Sequence, residues 1–399
     1  MRKALYAAVI AYTVCFTQIA NAQDALKIGV LNDQSGPYSE YGGLGSVEAA
    51  RMAVEAFGGT VLNRPIQIVA ADHQNKPDIA TATASRWYDV EGITAIADIT
   101  NSAVALAVQG VAKDRNKIAL FSGPATTRIF NEDCSPTGFM WVFDTNALAH
   151  GIAGAVLKEG GDTWFLITAD YAFGQQMSQD LSRVVIANDG KILGQVKHPV
   201  GTSDFSAYLL AAQSSKAKII GLLNAGTDTI NSVKQAGEFG ITSHGQKLAG
   251  LVVVLSDIKA LGLQTAQGLT ILTAFYQDRD EASREWAKRY FARTQRMPGM
   301  IQAGVYSSVL HYLKAVKAAG TTDAAAVAAK MREMPVRDFF ADGATIRADG
   351  RLMNPMYLAE VKTPSESKDP WDLLKIVRAI PADELIMPAS ESKCPLMRP

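Results

Sequence analysis

The strongest constraint on this chain is an alternation of short apolar runs with segments of helical period, which runs once through the first third and then begins again. Residues 26–31, 66–72, 95–98 and 118–121 are nearly continuous in apolar side chains, as parallel strands covered on both faces are. Between them, 45–57, 79–90 and 103–114 carry apolar residues at helical spacing. Parallel neighbours need a crossover, so this order builds a doubly wound sheet. After Asp144 the pattern restarts, with strands expected at 163–167, 191–196, 218–223 and 246–250 and helices at 174–188, 205–214 and 228–237. Two similar α/β lobes follow one another.

The third section differs. Residues 281–294, 303–319 and 323–334 read as successive helices, 343–354 carries turn signals and 356–362 reads as a strand. Helices without strands of their own need an existing sheet, and the first lobe offers one. The chain is therefore expected to cross between lobes near Asp144, Thr273 and Pro355, and three crossings make a hinge. The expected division is 23–143 with 274–354 as lobe 1, and 144–273 with 355–399 as lobe 2. The tail from Thr363, rich in Pro, Ser and charge, is expected to wrap one lobe as a strap.

The first residues bear on compartment. Arg2 and Lys3 precede an apolar run from Ala4 to Ile19, and Ala20-Asn21-Ala22 has the small-x-small form of a signal-peptidase site. Residues 1–22 are expected to be a signal peptide, with the mature chain starting near Gln23. The run is short for a transmembrane anchor, which needs roughly 20 apolar residues. Cys15 lacks the preceding small residue of a lipoprotein site and would leave with the signal. Cys134 and Cys394 then remain in an oxidising compartment, either as one disulfide tying the tail to the first half or as two buried thiols. Charge is balanced, with 39 basic and 39 acidic residues. Nucleic acid is excluded as a partner, because neutralising phosphates takes a basic patch.

Tests for an enzyme fail one after another. His73, His150, His198, His244 and His311 show no metal-ligand spacing. There is no Gly-x-Ser-x-Gly elbow, and Ser256-x-x-Lys259 is matched equally by Ser365 to Lys368 and Ser390 to Lys393 without companion motifs. The glycines between Gly36 and Gly45 lack dinucleotide-binding spacing, and Pro37 interrupts them.

Short hydroxyl and amide side chains do gather at strand ends. Thr100-Asn101-Ser102 follows the third strand and Ser122-Gly123-Pro124-Ala125-Thr126-Thr127 the fourth, each before a helix start. Open α/β sheets bind ligands at such edges, and a helix N-terminus with added hydroxyls suits a carboxylate; helix capping is the competing role. The second lobe offers Asp170-Tyr171-Ala172-Phe173-Gly174 and Asn224-Ala225-Gly226-Thr227. Facing each other, the two sets make a cleft with one anion-binding wall and one apolar wall, fit for a small acid with a hydrophobic body.

Over nearly all of 26–362 the chain resembles the periplasmic leucine/isoleucine/valine-type solute-binding proteins of ABC transporters. The resemblance lies in Ser35-Gly36-Pro37 followed by Tyr41-Gly42, Thr100-Asn101-Ser102, Pro124-Ala125-Thr126, Phe173-Gly174, Asp204-Phe205-Ser206 and Gln235-Ala236-Gly237. It implies the type I binding-protein fold, with two Rossmann-like lobes on a three-crossing hinge. It also implies a monomer in the periplasm that needs no cofactor or metal, catalyses nothing, and delivers a small-molecule carboxylate to a permease and its ATPase subunits.

Family pattern places the ligand carboxylate on the loops of Asn101-Ser102 and Pro124-Ala125-Thr126, with Phe173 opposite. Amino-acid binders also carry a Glu just after the strand matching 247–250, to hold the ammonium. Here that stretch reads Gly250-Leu251-Val252-Val253-Val254. A second family aromatic falls near Ala225, so this pocket gains room. An ammonium buried without a partner costs several kcal/mol, so a hydrophobic or aromatic acid is the expected ligand unless Asp170 or Asp228 substitutes. The full expected contact set adds Tyr41, Ser122, Tyr171, Asn224, Thr227, Val252 and Tyr276. A branched-chain amino acid or short amide is the alternative ligand, and a periplasmic sensory subunit the alternative role.

Overall fold

A computed structural model describes residues 24–398 apart from Thr242 and His244. The expected signal peptide lies outside the described residues. In lobe 1, strands β1 (Leu26–Asn32), β2 (Thr60–Val61), β3 (Arg64–Asp72), β4 (Ile93–Asp98), β5 (Ile118–Phe121) and β6 (Gly138–Met140) form one sheet in the order β2-β3-β1-β4-β5-β6. All pairs are parallel except β2 with β3. β6 answers to no expected strand, because three residues are too few for an apolar run to show. Helices α1 (Gly43–Phe57), α2 (Pro77–Asp89) and α3 (Ser102–Asp114) connect the strands. The chain moves from β1 out to β3 and then back past β1 to β4, so the strand order reverses between β1 and β4. A crevice opens there at the strands' carboxyl ends.

Lobe 2 repeats the device with β7 (Thr163–Ala169), β8 (Lys191–His198), β9 (Ile219–Leu223) and β10 (Lys247–Gly250), parallel in the order β10-β9-β7-β8. Its reversal lies between β7 and β9. Ile167, Ile220 and Leu222 have no solvent exposure, which is why these strands read as unbroken apolar runs.

After β11 (Thr270–Thr273), helices Glu281–Thr294, Met300–Ala319 and Ala324–Glu333 return to lobe 1. Met300–Ala319 packs along α1 and is buried over most of its length. β12 (Val336–Arg337), β13 (Asp342–Ile346) and β14 (Leu352–Met353) make a small antiparallel sheet where turn signals stood. β15 (Met356–Val361) and β16 (Leu374–Ile380) then pair with β11 in the order β11-β15-β16. The crossings near Asp144 and Pro355 are joined by a buried ion pair, Arg351 Nε to Asp144 Oδ2 at 2.9 Å.

The tail departs from the expected division. Residues 374–380 are a strand beside β15 and not part of an extended strap. Beyond Pro381 the chain runs from lobe 2 back to lobe 1, passing over the segment that follows the first crossing. Asn146 Nδ2 donates to Leu385 O, Arg347 Nη1 to Met387 O, and Lys393 N to Asn131 Oδ1. Leu385 and Ile386 join the larger core cluster, which runs through both lobes, since consecutive apolar residues at 385–387 need a core. Cys394 Sγ lies 2.02 Å from Cys134 Sγ, so a disulfide staples this last segment to lobe 1. The tail thus makes a fourth passage over the hinge.

A cross-link spanning 260 residues restricts the unfolded chain strongly. The double variant Cys134→Ser/Cys394→Ser is expected to lose about 2–5 kcal/mol of unfolding free energy, read by denaturant titration. An unchanged midpoint and slope would mean that the bridge contributes nothing. Alkylation of the exported, unreduced protein should leave both cysteines unmodified.

Candidate functional site

The loops at the two reversals face each other across the hinge. In lobe 1 the loop after β1 is organised by Asp33. Its carboxylate accepts from Gly36 N (2.8 Å), Tyr38 N (2.8 Å) and Asn75 Nδ2 (2.6 Å). Tyr38 and Tyr41 are thereby held at the cleft.

The loop after β4 begins with a strained turn. Asp98 and Ile99 have φ of 75° and 59°, and a β-branched residue in that region costs on the order of 1–3 kcal/mol. Backbone bonds impose it: Ile99 N donates to Leu31 O, and Ser122 N and Gly123 N donate to Asp98 O. The turn swings Thr100 and Ser102 onto the crevice. Asn101 then caps α3, its Oδ1 accepting from Ala103 N and Val104 N. Ser102 Oγ accepts from Ala125 N and Thr126 N, both at 3.3 Å. Both bonds use lone pairs, so the hydroxyl proton is free to meet a group in the cleft.

Between the lobes lies a small cavity of about 20 Å3, space for a water molecule or two. Tyr38, Tyr41, Thr100, Ser102, Gly123 and Ala125 line it from lobe 1, and Phe143 from the crossing. Tyr171, Phe173, Ala225 and Val252 line it from lobe 2. Tyr38 Oη donates to Tyr171 Oη across the cleft at 3.0 Å. No lining residue carries a charge. A larger hollow, about 690 Å3, opens on lobe 2 beside Gly160, Gly161, Lys247 and Gly268. It sits at the amino ends of β7, β9 and β10, the opposite edge from the one where parallel sheets bind ligands.

Of the expected contacts, Tyr41, Ser102, Ala125, Tyr171, Phe173, Ala225 and Val252 meet at this cavity. The others do not line it. Asn101 is spent on capping α3, and Thr126 Oγ1 accepts from Arg128 N. Pro124 lies in the loop without lining the cavity. Ser122 Oγ points toward Gly304 of the long helix. Asn224 is engaged with Thr229, Ser232 and His198 inside lobe 2. Thr227 is exposed and meets lobe 1 only through its amide, which donates to Pro37 O. Tyr276 is a correction of position: its hydroxyl accepts from Leu373 N and Leu374 N and pins the segment before β16. It follows β11, a strand of the antiparallel sheet β11-β15-β16 and not of either parallel sheet. Ser256 and Lys259 form no pair either, for the lysine lies over the Trp371 ring, 5.0 Å from its centre.

Sequence reasoning missed Tyr38, Phe143 and two buried acids, Asp98 and Asp257, and left a third, Asp228, without its surroundings. Tyr38 stands three residues before Tyr41 in the same turn, a spacing that could have marked it. Asp98 lies beneath Thr100 and Gly123, with Oδ2 accepting from Asn32 Nδ2 at 2.8 Å and Oδ1 unpaired; burial pushes its carboxyl up to about 6. Asp257, in helix Leu255–Leu261, accepts from Tyr41 Oη at 2.6 Å and Val254 N at 3.0 Å. Burial pushes it up to about 7. Asp228, weighed at first only as a substitute acid, is buried in the network of Gly201 and His198 and is pushed by burial up to about 6.

The architecture and the cleft agree with comparisons to known proteins. A family model described as periplasmic binding protein matches residues 25–368. A periplasmic binding protein from Burkholderia mallei superposes with TM-score 0.92 at 49% identity, over 94% of this chain and 100% of that one. A branched chain amino acid ABC transporter periplasmic ligand-binding protein from Burkholderia xenovorans gives 0.84 at 38% identity, over 94% and 100%. Leu/Ile/Val-binding protein homolog 6 of Brucella melitensis is 25% identical over 261 residues, 63% of this chain and 64% of that protein. The matched part thus spans just under two thirds of those curated relatives. Among the described residues no helix is long and apolar enough to cross a membrane. Two α/β lobes, a hinge between them and a cleft at their facing reversal points place the chain in the periplasmic binding protein family.

Proposed function

We propose that the protein captures a small hydrophobic or aromatic carboxylate in the inter-lobe cleft and presents it, unreacted, to the permease of an ABC importer. The observation that carries this reading is the one-sided chemistry of the cavity. Its polar wall is made of donors, the Ser102 hydroxyl at the N-terminus of α3 above all, and its opposite wall is Tyr171, Phe173, Ala225 and Val252. A helix N-terminus favours an anion. No carboxylate stands in the lining to pair with an ammonium, since Asp257 is engaged by Tyr41 and Asp228 sits in its own network. The cavity as it stands holds only a water molecule or two, and room for a ring comes from turning Tyr38 and Tyr171 apart, since their hydroxyls are bonded to each other across it.

One observation favours a branched-chain amino acid instead, the name borne by the Burkholderia xenovorans relative. That ligand would need Asp228 or Asp257 turned into the cavity. A sensory subunit would use the same cleft, and neighbouring permease and ATPase genes distinguish the two roles.

Calorimetry with benzoate, benzamide, phenylglycine and leucine separates the readings. Benzoate is expected to bind, with benzamide and both amino acids far weaker. Tight leucine binding with no response to benzoate would return the protein to the amino-acid branch. Incubation with each compound should leave it chemically unchanged, and turnover would contradict the non-catalytic reading.

Two variants locate the ligand. Ser102→Ala is expected to cost about 1.5–3 kcal/mol of benzoate binding, roughly ten-fold to over a hundred-fold in Kd. Tyr171→Ala is expected to weaken aromatic acids more than aliphatic acids of similar length, because it removes ring contact. Equal losses for both classes would place the ring elsewhere.

A further inference from the structure

Tyr41 belongs to lobe 1, where Gln302 Nε2 donates to its carbonyl at 2.7 Å. Its hydroxyl, however, lies wholly among groups of lobe 2. It donates to Asp257 Oδ2 at 2.6 Å, accepts from Gly226 N at 2.9 Å and sits 3.3 Å from Val252 O. Gly226 has φ of 61°, and a Cβ there would stand 2.2 Å from Pro37 O. Only glycine lets the two backbones come this close. Tyr41 and Val252 line the cavity, but the bonds of the Tyr41 hydroxyl to Asp257 and Gly226 join lobe to lobe, and the Tyr38–Tyr171 bond is the part that a ligand replaces.

We propose that Tyr41, Gly226 and Asp257 form a latch that holds the lobes shut whatever the ligand, and that closing it takes up a proton at Asp257. The proposal rests on the cleft being the ligand site. In the closed state Asp257 is buried and faces Tyr41 and the Val254 amide. The nearest charge from lobe 1 is Glu40, which is paired with Arg296 and itself opposes ionisation of Asp257. Lys259, on the same helix as Asp257, is turned to Pro370 O and Trp371. No cation is paired with the carboxyl among the described residues.

Opening withdraws the phenol and lets water reach the carboxylate, returning it to its ordinary range near 4. The sign follows from the two states. Between about 4 and about 7 the closed form holds a proton that the open form has lost. Closure is therefore favoured at low pH and weakens as pH rises toward 7, after which the dependence flattens. Asp98 and Asp228 titrate in the same window. Both are hydrogen-bonded within their own lobes, and the Asp257→Asn variant separates their contribution from that of Asp257.

The latch predicts uniform effects, because an equilibrium between open and closed forms scales every ligand's apparent affinity by the same factor. Benzoate and 4-methylbenzoate are titrated by calorimetry into wild type, Tyr41→Phe and Asp257→Asn at pH 5.5 and 7.5, with Ser102→Ala as the ligand-contact control. Wild type should lose roughly twenty-fold in affinity for both acids over this range, and Asp257→Asn should lose almost none. Tyr41→Phe should weaken both acids by one common factor. A changed ratio between the acids in Tyr41→Phe, or undiminished pH dependence in Asp257→Asn, would overturn the proposal. If neither acid binds, the ligand reading fails while the latch is still testable in unliganded wild type. Its radius of gyration in solution scattering should then grow from pH 5.5 to 7.5, and an invariant radius would overturn the latch.

Discussion

The buried ion pair between Arg351 and Asp144 sets the frame on which the cleft depends. Asp144 ends the first crossing and caps helix Thr145–Leu148 through Ala147 N, while Arg351 immediately precedes the third crossing. The guanidinium also donates to the carbonyls of Met140, Trp141, Val142 and Leu352, and Met140 N donates to Gly350 O. Such a pair adds little net stability over a well-packed apolar alternative, but losing one partner costs about 3–5 kcal/mol. Its value here is geometric. It holds two crossings in one register, and thereby decides which loops of the two lobes meet when the hinge closes.

What meets is a pair of reversal points with unlike chemistry. Lobe 1 brings a strained left-handed turn and a helix N-terminus, so its contribution is oriented donors. Lobe 2 brings two aromatic rings and two small apolar side chains. The acids nearest the cavity are all engaged or stacked behind it, which keeps the cavity neutral and leaves a negative ligand as the group best served. Closure adds a second kind of contact, lobe to lobe, in which the Tyr41 hydroxyl of lobe 1 meets Gly226 and Asp257 of lobe 2.

Much of this was legible in the chain. The repeated β-α-β order implied two doubly wound lobes, and the rule that parallel sheets bind at carboxyl ends picked loops that meet at the inter-lobe cavity. Seven of the expected contacts line the cavity for that reason. The failures share a cause: a residue type says what a side chain can bond, while its direction depends on local backbone and on the hinge. Asn101 and Thr126 had the right chemistry and spent it on caps. Tyr276 follows a strand that the sequence did not mark, and that strand belongs to the antiparallel sheet. Asp257 was hidden by register, two residues into a helix that the apolar run at 251–255 concealed. The tail's return to lobe 1 was foreshadowed only by Cys394, because apolar residues at 385–387 do not reveal which core receives them.

The central claim is that a carboxylate is held by lobe 1 while its apolar body lies on lobe 2, and a crystal structure of the protein with benzoate tests it most directly. The account predicts a carboxylate oxygen about 2.7 Å from Ser102 Oγ, the ring against Tyr171 and Phe173, and the bond between Tyr38 and Tyr171 broken while Tyr41 stays on Asp257. A benzoate whose carboxylate faces lobe 2, or one bound outside the cleft, would contradict it.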